Sequence, residues 1–139
     1  MNVSLFKKGI FLGFVSGVAS SWFGIVLNKV TGVFPFESSL PALMLTFAVG
    51  GGIFGIAAGG FMTLTNEIFL VDRPVLKAVI ISAGIWLALR AGGMALSLMD
   101  HDRYHPDVGQ TAQGFALALL TGGLLGILWN SKMGSDRFK

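Results

Sequence analysis

The sequence predicts an all-α membrane protein: four transmembrane helices packed through Gly-rich faces. Three observations lead there. The 139 residues are 53% hydrophobic and only 12% charged, with a mean hydropathy of +0.74. Soluble domains carry about 25% charged residues, so half that share leaves too few charges to coat a water-facing surface. Next, the chain divides into four apolar runs, each near the roughly 20 residues that a helix needs to cross a bilayer. Finally, residues 40–65 hold six glycines, Gly50, Gly51, Gly52, Gly55, Gly59 and Gly60, and no charge. In water each glycine weakens a helix by about 1 kcal/mol relative to Ala. In lipid the backbone must bond to itself, and glycine lets a neighbouring helix approach closely.

The first span is expected over residues 9–27, after a short head ending in Lys7 and Lys8. Its start resembles a signal peptide, with a basic beginning, an apolar centre and the small residues Ala19, Ser20 and Ser21. The apolar run continues through Trp22 to Leu27, which favours a retained span. Gly9, Gly13 and Gly17 recur at four-residue spacing and so share one helix face. A loop over residues 28–39 follows. Pro41 then opens the second span, at a helix start where its missing N–H does no harm, with Ser38 or Ser39 as the N-cap.

The second loop, residues 66–74, holds Glu67, Asp72 and Arg73, and Pro74 starts the third span over residues 75–99. Asn66 and Glu67 there suit a polar cluster with Arg73 and Lys77, in the plainer reading an interfacial ion pair of Glu67 worth little. The third loop, residues 100–107, is the most polar stretch of the chain. The fourth span is expected over residues 112–129, with Gly122, Gly123 and Gly126, and a basic tail follows. A shift of the chain by 71 residues superposes Gly13 on Gly84, Pro35 on Pro106, Gly51 and Gly52 on Gly122 and Gly123, and Gly55 on Gly126. Two tandem two-helix hairpins, related by a parallel repeat, would explain this. Shared apolar, Gly-rich composition makes such matches cheap and is the plainer explanation. If the repeat is real, the two Gly-Gly-x-x-Gly faces are expected to meet near the centre.

Lys and Arg set the orientation. The head, second loop and tail hold Lys7, Lys8, Arg73, Lys77, Lys132, Arg137 and Lys139, whereas the first and third loops hold only Lys29 and Arg103. Positive charge stays inside, which places both termini in the cytoplasm of a multi-pass inner-membrane protein. The net charge of +3 is therefore orientation information and not a nucleic-acid signal.

Few residues carry a chemical signal. Absent cysteine excludes disulfides, thiolate metal sites and a Cys nucleophile. There is no Gly-rich phosphate loop, no nucleophile elbow and no acid inside a span. In size and span number the chain is similar to the small multidrug transporters, but they carry a Glu in their first span and this chain has none. Arg90 stands out: it lies nine residues inside its span, about 13 Å deep, where a charge costs at least about 2.5 kcal/mol. It either snorkels to the interface or faces a partner chain, a lipid headgroup or an anion. His101, Asp102 and His105 are metal-ligand types at tight spacing, although Pro106 opposes a helix there and a solvated loop is the plainer reading. Trp129 sits where an interfacial anchor belongs, Trp22 approaches the other interface, and Trp86 falls in mid-span.

The expectation is a small non-catalytic membrane subunit without a cofactor. It would pack on partner helices, or on copies of itself, and on lipid. The helix-packing residues would be Gly13, Gly17, Gly51, Gly55, Gly59, Gly122 and Gly126. The alternative is a small oligomeric channel or transporter for an anion, with Arg90 selecting charge and a broken helix at Gly50–Gly52 lining the path. A metal-using membrane enzyme built on the third loop is a third and weaker reading.

Overall fold

The computed structural model describes residues 3–32, 39–66, 68, 73–99 and 108–136. They form four helices: α1 (Val3–Thr31), α2 (Leu40–Leu64), α3 (Pro74–Met99) and α4 (Val108–Asp136). Each is long and apolar enough to cross a membrane, which makes this a multi-pass membrane protein in outline. Two of the helices, α1 and α4, are clearly longer than the apolar runs. α1 continues past Leu27 through Asn28 and Lys29, and α4 begins four residues before Ala112 and ends beyond Trp129. Hydropathy marks what lies in hydrocarbon, whereas the hydrogen-bonded helix runs on into the interface.

Helix ends follow local chemistry. Gly32 adopts φ +64° and returns its N–H to the Asn28 carbonyl at 2.7 Å, an αL cap that only glycine takes without strain. Ser39 precedes α2 in an extended conformation, its side chain makes no capping bond, and Pro41 sits in the first turn. The Lys77 N–H bonds to the Arg73 carbonyl at 3.0 Å, so Arg73 takes the capping position and Pro74 the first helical one. α2 is unbroken through Gly50, Gly51 and Gly52. The break that the channel reading used is therefore absent.

The four helices run alternately up and down. α1 shares its most extensive face with α2, α3 with α4, and α1 also packs on α4; α2 meets α3 and α4 far less. The core is a small cluster with every helix represented: Leu12, Ala58, Met62, Ala78, Leu125 and Trp129. Trp129, expected at the membrane interface, is a core residue with 6% of its surface exposed. Its ring packs beside Gly9, where a Cβ would come within 3.2 Å of Trp129 Cζ3. Sequence position gives depth along a helix axis but not which way the side chain points. The end of α4 lies beside the start of α1, and with the antiparallel order the end of α2 and the start of α3 lie at that same end of the bundle.

Candidate functional site

Among the described glycines, the closest approaches to another helix lie between α1 and α2. A methyl group on Gly13 would fall on the Gly55 carbonyl oxygen, and one on Gly55 on that of Gly13. Gly17 and Gly51 stand in the same relation, and a methyl on Gly59 would strike the Gly9 carbonyl. The three pairs step four residues along each helix in opposite directions, so the two backbones touch along two full turns. Such proximity needs bare Cα atoms on both sides and brings Cα–H groups against carbonyl oxygens, weak contacts that add to dispersion.

The α3–α4 contact is one-sided. Gly122 lies on the α3 backbone at Ala78 and Val79, and Gly126 at Pro74 and Val75. Here glycines on α4 meet ordinary residues on α3. The Gly51–Gly55 and Gly122–Gly126 faces thus do not meet each other at the centre: each packs on the helix that precedes it. Gly84, which the 71-residue shift equates with Gly13, has open space around its Cα, as do Gly92 and Gly93.

Polar groups inside the bundle are mostly satisfied within their own helices. Ser16 bonds to the Leu12 carbonyl, Ser21 to Val18 and Thr63 to Gly59, at 2.8, 2.8 and 3.0 Å. The Ser20 and Thr121 hydroxyls also meet each other, at 2.5 Å, and join α1 to α4. At one end of the bundle the Thr31 hydroxyl donates to Gln113 Oε1 at 2.8 Å. Ser82 differs: its Oγ is fully buried and has no hydrogen-bond partner. The sequence offered no signal for this, nor for Lys77, whose surface is 4% exposed although Arg73, one turn earlier, is exposed.

Beside the Ser20–Thr121 pair lies a cavity of about 170 Å³, open on one side and lined by residues of all four helices. Ser20 and Ser21 of α1 and Thr121 of α4 border it, and Phe47, Phe54 and Trp86 form its aromatic walls. The Trp86 ring leans on Phe115 with centroids 5.3 Å apart and planes at 60°. Trp86 therefore packs within the chain. Trp22, by contrast, is largely exposed and donates its indole N–H to the Met44 carbonyl at 3.1 Å.

Arg90 lies on α3, half-buried, and no ion pair to it is present among the described residues. His101, Asp102 and His105 lie outside the described residues, as does Glu67, so the metal and interfacial-pair expectations fall there too. Among the described residues no cluster of three His, Cys, Asp or Glu side chains is present. Comparison with family models, curated proteins and solved structures finds no match to this chain.

Proposed function

We propose that this chain is a non-catalytic membrane subunit whose outer α3 surface docks on partner helices, either of another protein or of a second copy. The observation that carries the proposal is the emptiness of α3. Only 6% of its most apolar 18-residue window is buried within the chain, against 11% for α2, 33% for α4 and 44% for α1; α2 is nearly as bare, but its Gly51, Gly55 and Gly59 already meet α1. Gly84, Ala88 and Gly92 recur at four-residue spacing on that helix, all exposed, and the two glycines have nothing within 4 Å. Side chains this small give lipid little to hold and a helix much to approach. Gly13, Gly17, Gly51, Gly55 and Gly59 join α1 to α2 in this reading, and Gly122 and Gly126 join α4 to α3, so they build the subunit while α3 offers its free side. Arg90 then faces a carboxylate or phosphate supplied from outside the chain. The termini lie in the cytoplasm of an inner membrane, as the Lys and Arg distribution favours.

The test is the mass of the particle released gently from the membrane, for the native chain and for the Gly84→Leu/Gly92→Leu double variant. The native chain is expected within a defined assembly and the variant as a folded single chain.

A further inference from the structure

We infer that the cavity between Ser20, Thr121 and Trp86 is a binding site for a neutral lipophile of about one ring, carrying a single hydrogen-bond acceptor. Size comes first. The space is about 170 Å³ and open to the outside of the bundle; an enclosed apolar cavity of about 150 Å³ holds one benzene ring, which sets the scale of the occupant and leaves it an entry from lipid. Depth comes second. Trp86 is the thirteenth of the 26 residues of α3, so the site lies near mid-membrane, about 15 Å from either edge of a roughly 30 Å hydrocarbon layer. A charged or zwitterionic headgroup is costly at that depth, and none of the cavity-lining side chains carries a charge to pair with one.

The third constraint is hydrogen bonding. Each hydroxyl owns one proton. Thr121 reaches the Leu117 carbonyl at 2.9 Å, Ser20 reaches Gly17 at 3.1 Å, and the two also contact each other. Ser21 is bonded to Val18. These protons are used. The indole N–H of Trp86 is not: no hydrogen bond from it is present among the described residues, and its nitrogen is not sealed off as Ser82 Oγ is, whereas that of Trp22 has an acceptor. Trp86 Nε1 lies against Gly114, which also lines the cavity; a Cβ there would come within 2.9 Å of it. A donor left unpaired in hydrocarbon is costly. An acyl chain fills the space but cannot accept the bond. A neutral ring bearing a carbonyl or ether oxygen does both. The site belongs to one chain and does not depend on the assembly proposed above.

The experiment uses 4-fluoroacetophenone and, as a control without an acceptor, 1-ethyl-4-fluorobenzene, titrated into the full chain in nanodiscs and followed by fluorine NMR. The native protein is expected to bind the ketone saturably and about fivefold more tightly than the hydrocarbon, the ratio that one neutral hydrogen bond gives. Trp86→Phe keeps an aromatic wall but removes the donor, and should erase that preference. Ala118→Ile fills the cavity and should abolish saturable binding of both probes. Linear partitioning of both probes into native nanodiscs would overturn the inference, and so would a ketone preference that survives in Trp86→Phe.

Discussion

Gly13 and Gly55 face each other with no side chain between them, each Cα lying against the other residue's carbonyl oxygen. A single methyl on either residue forces two helix backbones apart, because neither can move aside as a flexible side chain does. Gly13→Ala and Gly55→Ala are each expected to destabilise the protein by about 1–3 kcal/mol, the range for overpacking. Gly84→Ala enters open space and should leave stability unchanged or raise it, by up to about 1 kcal/mol from helix propensity. Denaturation in mixed micelles measures all three. Equal effects at Gly55 and Gly84 would show that the α1–α2 contact is not what the glycines serve.

The Ser20–Thr121 hydrogen bond is the polar link between α1 and α4 near mid-membrane. Inside membranes such bonds average about 0.6 kcal/mol and reach about 1.7 kcal/mol. A double-mutant cycle with Ser20→Ala and Thr121→Val should return a coupling in that range. Strict additivity of the two single effects would mean that the pair contributes nothing to stability.

Ser82 is the exception among the buried hydroxyls. Its Oγ bonds to nothing, so the chain bears the desolvation of a hydroxyl without the compensating bond. Ser82→Ala is therefore expected to be neutral or stabilising, by up to about 2 kcal/mol. Thr63→Ala, which removes a bond to the Gly59 carbonyl, should not stabilise. Thermal melts of the two variants side by side decide the matter, and a loss of stability in Ser82→Ala would contradict the assignment.

The chain contains no cysteine, so single introduced cysteines report the topology cleanly. With cytoplasmic termini, Gly109→Cys at the start of α4 should react with an impermeant maleimide in intact cells. Ser4→Cys should react only after lysis. The reverse labelling would invert the proposed orientation without disturbing the fold.

Much of the architecture was legible in the sequence, because hydrocarbon imposes a simple rule: long uncharged runs must become helices. The starts of α2 and α3 followed from Pro41 and Pro74. The glycine spacing in α1 also stood out, but its partners did not. A glycine facing lipid and a glycine facing another helix look alike in one dimension. Gly84 and Gly13 align in the apparent repeat, yet one has open space and the other touches a backbone. Trp129 shows the same limit, since its depth was readable and the inward direction of its ring was not. The cavity was hidden altogether, because Ser20, Phe47, Trp86 and Thr121 come from four different helices and no spacing rule connects them.

The proposal that α3 is a docking surface rests on how little of it the chain itself buries. The most direct measurement is native mass spectrometry of the protein released from nanodiscs, comparing the native chain with Gly84→Leu/Gly92→Leu. The account predicts a fixed stoichiometry with a partner chain or a second copy for the native protein, and a folded, helical single chain for the variant. A native protein that leaves the bilayer alone, or a double variant that keeps the same stoichiometry, would contradict it.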